Sequence, residues 1–300
     1  MDASLDQLRT LAAVIDEGTF DAASVALGIT PSAVSQRIKA LETATGRVLL
    51  TRSKPVRVTP PGAVMLRLAR NTIQLADDAA REIGVENAAG HLTLPIAVNA
   101  DSMATWFLPA LARLPARHRA VFDVHIDDQD NTYELFRTES VLAAVTSGAR
   151  PLPGCTVTSL GVMRYLACAA PDFADTYFPD RMTPAAAARA PLVVFNRKDT
   201  LQHRFLRELT GLPLAPPAHY LPSSTDFVRG IRLGLGWGLI PQLQWAELGD
   251  ASGLVELAPD RPVDVELHWQ VWSLDSPALR ALTAAVLDAA GTHLRPPPGV

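Results

Sequence analysis

The chain has 300 residues, 48% of them hydrophobic, so we expect two or three domains with a sizeable buried core. Its formal net charge of −4 argues against a surface coated throughout with nucleic acid, and Cys155 and Cys168 suggest two reduced thiols rather than a disulfide framework or a zinc site. An acidic, amphipathic N-terminus and the lack of a bilayer-length apolar run predict no signal peptide, no membrane contact and a cytoplasmic location.

Three helices are predicted in the first 45 residues. The first carries apolar side chains at helical spacing and stops at Gly18. A second covers Phe20–Leu27 and is followed by Gly28, which can adopt a positive φ without a steric penalty. Thr30 and Pro31 then begin a third helix, as a cap and a first-turn proline. The apolar positions of the first helix are Leu5, Leu8, Leu11, Ala12 and Ile15.

The third helix has two different faces. Val34, Ile38 and Leu41 fall within an arc of about 60° when the residues are plotted at helical spacing. Polar side chains occupy the opposite side, and Arg37 lies on the flank. Hydroxyl, amide and cationic groups on a short exposed face can bond base edges or phosphates in a DNA major groove. The polar face consists of Ser32, Ser35, Gln36 and Lys39.

A basic hairpin is predicted after this helix. Segments 49–52 and 56–59 can pair around Ser53-Lys54-Pro55, and between Arg37 and Arg57 there are six cations and one acid. Such a wing beside DNA phosphates adds affinity but little sequence information. A helical bundle with a solvated polar face is the simpler interpretation, but the helix-turn-helix joined to a basic hairpin favours binding of double-stranded DNA. The predicted DNA-binding residues are Thr30, Ser32, Ser35, Gln36, Arg37, Lys39, Arg52, Lys54 and Arg57.

A long connecting helix is predicted over about residues 61–85. Its apolar positions form a narrow coiled-coil seam, which predicts pairing with a second copy of the chain. Packing of this helix against its own domain is the alternative. Residues 87–91 are expected to form a flexible hinge. The predicted seam consists of Met65, Leu68, Thr72, Leu75 and Ala79.

Strands and helices alternate from residue 92 onward, which predicts an α/β domain of two lobes with a cleft between them. Ligands of open α/β sheets bind where strands end and helices begin. The predicted strands are 92–99, 121–126, 141–145, 160–169, 192–195, 238–241 and 265–272. The predicted helices are 104–114, 131–138, 202–209, 226–233 and 276–290.

Polar clusters lie at four places where the predicted strands end or helices begin, and they predict a small-molecule site. Helix N-termini with hydroxyl groups bind carboxylates, while Asp101 and Asp226 could hold a cation, so the clusters suit an amino acid, particularly a basic one. The alternative is that each polar residue merely caps a helix. The predicted ligand-binding residues are Asn99, Asp101, Ser102, Met103, Trp106, Thr146, Ser147, Asn196, Asp199, Ser223 and Asp226.

Catalytic motifs are missing from the sequence. We find no nucleophile elbow, no H-E-x-x-H zinc motif, no phosphate-binding loop and no C-x-x-C pair. Gly234-Leu-Gly-Trp-Gly238 lacks the strand and helix that a dinucleotide-binding loop requires. The sequence therefore predicts neither an enzyme nor a bound cofactor or metal.

The segment LDQLRTLAAVIDEGTFDAASVALGITPSAVSQRIKALETATGRVLLTR resembles the N-terminus of LysR-type transcriptional regulators. The match includes the leucines of the first helix, Gly-Thr-Phe, the Ala-Ala pair and Ser-Ala-Val-Ser-Gln-Arg-Ile-Lys-x-Leu-Glu. It departs at Leu50, where the family usually has Phe, and at Ser-Lys-Pro in the wing. The resemblance implies a dimer through the linker helix or a tetramer, RNA polymerase as a further partner, and a periplasmic-binding-protein-like effector domain.

Within this family, the segments LPIAVNADSMATWFLPAL, VFNRKD and WGLIP look like the LysG and ArgP branch. That likeness implies a sensor of lysine or arginine that activates a basic amino acid exporter gene. The implied α+β architecture is a winged helix-turn-helix domain at 1–60, a linker helix and hinge at 61–90, and an effector domain at 91–300. Lobe I is expected over 91–163 and 267–300, and lobe II over 164–266.

Two other functions stay open. A DNA-architectural or repressor protein without an effector would keep the N-terminal domain but need no pocket. A cytosolic solute-binding protein or enzyme on the same two-lobed fold would not bind DNA. Ligand-dependent changes in melting temperature separate the first from a regulator, and DNA binding at low salt separates the second.

Overall fold

The computed structural model describes residues 2–51, 53–83, 92–118, 120–127, 141–249, 253–274 and 276–297. Arg52, the predicted hinge at 87–91 and the predicted helix at 131–138 lie outside these ranges. Within them, no helix combines the length and the apolar character that a membrane crossing needs.

The N-terminal domain begins with three helices, and their ends follow from local sequence. Thr30 Oγ1 accepts a hydrogen bond from Ala33 N at 3.2 Å and caps the third helix. Gly28 and Gly46 end the second and third helices with φ of 63°, a left-handed conformation that glycine adopts freely. These positions confirm the three predicted helices. Their bounds are α1 (Leu5–Asp16), α2 (Phe20–Leu27) and α3 (Pro31–Thr45).

The core of this domain lies behind α3. Val34, Ile38 and Leu41 are at most 4% exposed, as their spacing predicts. The wing is a hairpin of β1 (Leu50–Thr51) and β2 (Arg57–Val58), shorter than predicted. One carboxylate oxygen of Glu42 accepts bonds from the backbone N–H groups of Leu49 and Leu50 at 2.8 and 3.4 Å, so α3 holds the entry to the wing.

The linker helix α4 (Pro60–Glu82) packs tightly against the rest of its domain. A Cβ on Gly62 would lie 1.9 Å from the carbonyl oxygen of Leu49, so only glycine permits this approach. Ion pairs join α4 to α1 further along, at 2.8 Å between Arg9 Nη2 and Asp77 Oδ1 and at 2.5 Å between Arg70 Nη2 and Asp16 Oδ1.

The predicted seam on α4 is wrong at its first position. Met65 is only 6% exposed because it packs into the core of its own domain. The exposed apolar positions are Val64, Leu68, Leu75 and Ala79, which fall within about 60° of each other around the helix axis. We call these four residues the linker stripe.

The C-terminal domain contains nine strands and a similar number of helices among the described residues. Its strands are β3 (Leu92–Asn99), β4 (Ala120–Asp127), β5 (Ala143–Thr146), β6 (Cys155–Ala169), β7 (Leu192–Val194), β8 (Ala218–Tyr220), β9 (Gly238–Pro241), β10 (Val255–Glu256) and β11 (Val263–Trp272). Its helices are α5 (Ala100–Ser102), a π-helical turn (Met103–Phe107), α6 (Leu108–Ala112), α7 (Pro171–Tyr177), α8 (Pro184–Ala187), α9 (Leu201–Thr210), α10 (Ser224–Arg232), α11 (Gln242–Leu248) and α12 (Pro277–His293), with a short 3₁₀ turn at Ala116–His118.

Seven of these strands form one sheet in the order β10-β6-β11-β5-β3-β4, with β9 also paired to β6. Strand β3 runs parallel to β4 and β5, while β11 is antiparallel to β5 and β6. Strands β7 and β8 form a separate parallel pair. The carboxyl ends of β3 and β7 therefore supply two of the strand-to-helix junctions at which α/β proteins bind ligands.

Strands β6 and β11 are the longest strands of this sheet, with 15 and 10 residues. Their pairing is shifted by a bulge between Leu267 and His268, where Leu267 pairs with Gly161 and His268 with Ser159. Gly161 has φ of 121°, and a Cβ there would lie 2.4 Å from the carbonyl oxygen of Arg295. The register change and the crowded glycine interrupt regular pairing at the same point of the sheet.

The predicted C-terminal elements are confirmed where they can be compared, but some bounds differ. The first helix begins directly at Ala100 rather than near residue 104, so Asp101 lies in a helical turn and not in a loop. Short elements without a clear apolar period were missed, namely α7, α8, α11, β8 and β10. Cys155 and Cys168 are free thiols, and burial raises the pKa of Cys155 to about 12.

Candidate functional site

The front of α3 is an exposed polar surface. Ser32, Ser35, Gln36 and Lys39 are all exposed, on the side opposite the buried apolar residues. Thr30 is exposed as well, but its hydroxyl both caps α3 and lies 2.9 Å from Ser32 Oγ. Four of the predicted DNA-facing side chains are therefore exposed on one helix face, with the Ser32 hydroxyl also in contact with Thr30.

The wing continues this surface. Lys54 and Arg57 are exposed, and Arg57 pairs across the hairpin with Thr51. An open hollow of about 310 Å³ separates the wing from α2 and α3, and its lining includes Ser35 and Lys54. Thr19 and Phe20, which were not among the predicted DNA-binding residues, also line it. The hollow brings a predicted base-contacting residue and a predicted phosphate-contacting residue to the same concave surface.

Arg37 points elsewhere. Its guanidinium pairs with Asp6 Oδ2 at 3.0 Å and reaches Thr10 Oγ1 of α1 at 3.5 Å. The side chain of Arg37 is 33% exposed and that of Asp6 is 67% exposed. Arg37 thus joins α3 to α1, and it can contact DNA only at the edge of the polar face or by releasing Asp6.

A second candidate site lies at the carboxyl end of β3. Asn99 ends that strand, is 1% exposed, and has no hydrogen-bond partner for either amide atom among the described residues. Buried polar groups are rarely left without partners, so this amide is suited to a bound molecule. The surrounding cleft hollow is lined by Asn99, Ala100, Asp101, Phe195, Asp199, Leu201, Gln202, Ser224, Phe227 and Leu239.

Asp101 connects three elements across this hollow. Its Oδ2 accepts a hydrogen bond from Tyr165 Oη of β6 at 2.9 Å. Its Oδ1 accepts one from Ser224 Oγ, at the start of α10, at 2.8 Å. Tyr165 is fully buried and Ser224 is 9% exposed, so both bonds are largely shielded from water.

Asp199 places a second carboxylate on the same hollow. It accepts bonds from the backbone N–H groups of Phe195 at 3.2 Å and Leu201 at 2.9 Å. With its amide nitrogen turned toward Asp199, Gln202 also donates to both carboxylate oxygens at 3.1 and 3.2 Å. Asn196 shapes the preceding turn, because its Oδ1 accepts from the N–H groups of Lys198 and Asp199.

The other predicted ligand-binding residues lie beside or away from this hollow. Ser102 and Trp106 are fully buried, and Trp106 belongs to the hydrophobic core with Met103 packed against that core. Ser223 caps α10 by accepting from Asp226 N at 3.2 Å, and Asp226 itself is exposed to solvent. The simpler interpretation of a cap describes Ser223 better than ligand binding does.

Thr146 and Ser147 lie at the end of β5. Thr146 is buried, donates to the carbonyl oxygen of Gly148 at 3.0 Å and accepts from Gln270 Nε2 at 3.1 Å, so its hydroxyl shapes a turn. Ser147 lines a separate open groove together with Arg204 and Glu208 of α9. The structure thus gathers Asn99, Asp101 and Asp199 in one hollow and leaves the pair after β5 outside it.

Sequence reasoning missed two residues that touch the predicted set. Tyr165 lies in a mostly apolar strand, and only its hydroxyl group indicated that it could contact the site. Ser224 stands beside Ser223, and sequence alone could not distinguish the serine that caps the helix from the serine that faces Asp101. Their contacts join residues separated by 64 and 123 positions, which no local pattern reveals.

The cleft hollow is acidic. Two carboxylates line it, and none of its lining residues in the described part of the chain is Lys, Arg or His. A cationic ligand is therefore favoured there, since charges in a partly buried site interact more strongly than in water. The unpartnered Asn99 amide adds a neutral donor and acceptor beside the carboxylates.

Both candidate sites lie in segments that match known protein families. Residues 5–63 match the family model described as bacterial regulatory helix-turn-helix protein, lysR family, and residues 88–291 match the LysR substrate binding domain. The lysine export transcriptional regulatory protein LysG of Corynebacterium glutamicum is 42% identical over 291 residues, 97% of this chain and 99% of that protein.

Two solved structures resemble the whole chain. The crystal structure of ArgP from Mycobacterium tuberculosis has 42% sequence identity and a TM-score of 0.83, with 97% of this chain and 98% of that chain covered. Full-length LysG from Corynebacterium glutamicum with bound effector Arg has 40% identity and a TM-score of 0.74, with 98% and 100% covered.

Proposed function

The chain belongs to the LysR family of bacterial helix-turn-helix regulators, and we propose that it is a transcriptional regulator controlled by lysine or arginine. We propose that it activates a gene that encodes a basic amino acid exporter. It acts in the cytoplasm, where it meets chromosomal DNA and, as an activator, RNA polymerase. The acidic hollow around Asn99, Asp101 and Asp199 carries the effector part of this proposal.

DNA recognition is divided between α3 and the wing. Ser35 and Gln36, with Ser32 beside them, bond base edges in the major groove, where donors and acceptors discriminate between base pairs. Lys39, Lys54 and Arg57 contact phosphates, and we include Arg52 with them. Thr30 and Arg37 contribute mainly by fixing α3, through the cap and through the ion pair to Asp6.

The effector is bound through its charges. A basic amino acid carries two cationic groups and one carboxylate, which matches two carboxylates and one unpartnered amide in the hollow. The α-ammonium group binds Asp101, the α-carboxylate accepts from the Asn99 amide, and the cationic side chain extends toward Asp199. Charge-assisted hydrogen bonds of this kind are stronger than those between neutral groups.

The proposed domain division follows from the strands that cross the effector domain. We assign 1–60 to the DNA-binding domain, 61–90 to the linker and hinge, and 91–300 to the effector domain. Lobe I comprises about 91–163 and 267–300, and lobe II about 164–266. The bulge at Leu267 and the crowded Gly161 support this boundary, because both interrupt regular pairing at that point.

Self-association uses the linker stripe. Two copies of α4 pair through Val64, Leu68, Leu75 and Ala79, since one helix cannot bury this stripe alone. A dimer is thus the basic unit, and two dimers can form a tetramer.

The deciding experiment is a thermal-shift titration of the full chain. Lysine or arginine should raise the melting temperature with increasing concentration, as binding to the folded state requires. Norleucine, which keeps the α-amino acid group but lacks the side-chain cation, and agmatine, which lacks the carboxylate, are the matched controls and should have much smaller effects. If neither lysine nor arginine changes the melting temperature, the effector assignment is wrong, whereas failure to bind any promoter DNA at low salt would exclude a regulator.

A further inference from the structure

The cleft hollow is too small for the proposed effector as it stands. Its cavity volume, measured with a water-sized sphere, is only about 30 Å³. A single water needs roughly 10 to 15 Å³ by this measure, so there is room for a few waters and not for an amino acid. The two sides of the hollow must therefore move apart, or the groups between them must rearrange, before lysine or arginine enters.

Two short hydrogen bonds meet at Asp101, on the lining of the hollow. Ser224 Oγ, on the α10 side, donates to Oδ1 at 2.8 Å, and Tyr165 Oη, on the crossing strand β6, donates to Oδ2 at 2.9 Å. One carboxylate in α5 thus joins the two sides of the cleft and the strand behind them. Hydrogen bonds to an ionised, shielded carboxylate are among the stronger ones in proteins.

We propose that Asp101 is a latch between the two sides of the cleft and that the effector opens it by replacing Ser224 as the partner of this carboxylate. The idea rests on the proposed function, because it assigns the same site a mechanism of regulation. In the ligand-free protein, Tyr165 and Ser224 hold Asp101 and keep the hollow small. When the effector binds, its α-ammonium group takes over Oδ1 and releases α10.

The surroundings of Ser224 allow this exchange of partners. Its hydroxyl has an alternative acceptor, Gln244 Oε1, at 3.5 Å, and the Gln244 amide already donates to the Ser224 carbonyl at 3.4 Å. A small rotation of the hydroxyl can therefore transfer its bond from Asp101 to Gln244. Tyr165, fully buried on β6, keeps its bond to Oδ2 and fixes the carboxylate in place.

A latch competes with the ligand, so weakening it should strengthen effector binding. The apparent dissociation constant equals the intrinsic one divided by the fraction of molecules in the competent state. Ser224→Ala and Tyr165→Phe remove one donor each while keeping the packing nearly unchanged. We expect Ser224→Ala to lower the apparent Kd for arginine or lysine by roughly three- to tenfold. Tyr165→Phe removes a bond that persists in the bound state, so it should not lower the Kd. Thr225→Ala, on the exposed face of the same helix turn, is the matched control and should leave the Kd unchanged.

The same variants should change the protein without any effector. Hydrogen–deuterium exchange at the backbone amides of α5 and of the first turn of α10 should be faster in Ser224→Ala than in the wild type and in Thr225→Ala. This measurement reports local opening directly and does not depend on which amino acid binds.

The outcomes separate the latch from the proposed effector. Tighter binding together with faster exchange supports the latch. If the wild type binds arginine or lysine but Ser224→Ala binds with the same or lower affinity, or exchanges no faster, the latch is wrong while the effector assignment stands. If the wild type binds neither amino acid, the effector assignment fails and the takeover of Asp101 fails with it.

Discussion

Gln74 in the linker helix donates from Nε2 to the hydroxyl oxygen of Ser276, 3.2 Å away, and both side chains are buried. Ser276 is the cap of α12, the last helix of the effector domain. Seven residues earlier in α4, the guanidinium of Arg67 lies 4.8 Å from the centre of the Trp272 ring at the end of β11. The helix that follows the DNA-binding domain thus contacts the effector domain of its own chain directly, at the cap of α12 and at the end of β11.

Replacing Gln74 should loosen this junction. Gln74→Met keeps the shape of the side chain but removes its hydrogen bonds to Ser276 and, within α4, to Asp78. The loss should lower the free energy of unfolding by about 1 kcal/mol. Urea denaturation measures the change. Gln36→Met, made at an exposed position of α3, is the control and should alter stability by less than about 0.5 kcal/mol. Equal stability of Gln74→Met and the wild type would contradict a stabilising role of the junction.

Base recognition and phosphate binding should respond differently to substitution. Gln36→Ala should weaken binding to the preferred sequence by about 1–3 kcal/mol and leave random DNA unaffected, because it removes a base contact. Lys54→Ala should weaken both DNAs alike and reduce the slope of log K against log salt by about 1. Fluorescence anisotropy titrations at several salt concentrations distinguish the two. A uniform loss for Gln36→Ala would show that this residue does not read bases.

A charge on the linker stripe should prevent dimer formation. Leu68 is 40% exposed on α4, and Leu68→Glu would place two carboxylates in the paired helices, where they repel each other. Light scattering after size exclusion should then give the mass of one chain. Leu233→Glu, at an apolar residue 70% exposed at the end of α10, is the control and should keep the oligomeric state of the wild type. A dimer that persists in Leu68→Glu would exclude the linker stripe as the interface.

Adding a methyl group at Gly62 should destabilise the N-terminal domain. The new Cβ would meet the Leu49 carbonyl oxygen at 1.9 Å, so α4 and the wing must separate at a cost of at least about 1–3 kcal/mol. Thermal unfolding and DNA binding should both report the loss. Gly291→Ala in α12 is the opposite case, because its Cβ meets nothing within 4 Å and alanine favours a helix by about 0.5–1 kcal/mol. Similar melting temperatures for the two variants would contradict the close approach at Gly62.

The ion pair between Arg164 and Asp264 should make the free energy of unfolding depend on pH in the acidic range. Arg164 donates to both carboxylate oxygens at 2.7 and 2.6 Å, and this hydrogen bonding lowers the pKa of Asp264. Because that pKa is lower in the folded state, the stabilisation is complete above the unfolded pKa of about 3.9 and disappears as the pH falls through the folded value.

Both side chains of this pair are partly exposed, so solvent screening limits the effect to at most about 1 kcal/mol. Asp264→Asn should therefore reduce stability at neutral pH and lose less stability on acidification than the wild type. Urea denaturation at pH 7 and pH 3 tests this. A parallel decline of both proteins with falling pH would mean that the pair makes no contribution.

The parts of the molecule that depend on local periodicity were predictable from sequence. The apolar side of α3 follows from the helical spacing of Val34, Ile38 and Leu41, and each of them is buried. Arg37 lies on the flank of that pattern. Its ion pair with Asp6 of α1 sets the direction of its side chain. Spacing could not reveal that contact, because it depends on how α1 packs against α3.

The cleft hollow likewise contains residues that the sequence could predict and residues whose position depends on tertiary packing. Asn99 and Asp101 could be selected because they follow a buried strand at a place where α/β proteins bind ligands. Trp106 lies within the π-helical turn that follows Asp101 and is fully buried in the core. The turn depends on tertiary packing rather than on any sequence period, so the inward direction of Trp106 could not be anticipated.

The bulged strand pair has a consequence for how this domain can change during evolution. Val162 and Glu266 are paired neighbours on β6 and β11. The segment between them therefore begins and ends at adjacent positions in the sheet. A segment whose two ends touch can be exchanged for another without altering the path of the rest of the chain, as inserted domains are. Transplanting the corresponding segment of a relative would then provide a new chemical specificity while the DNA-binding module and its junction at Ser276 remain in place.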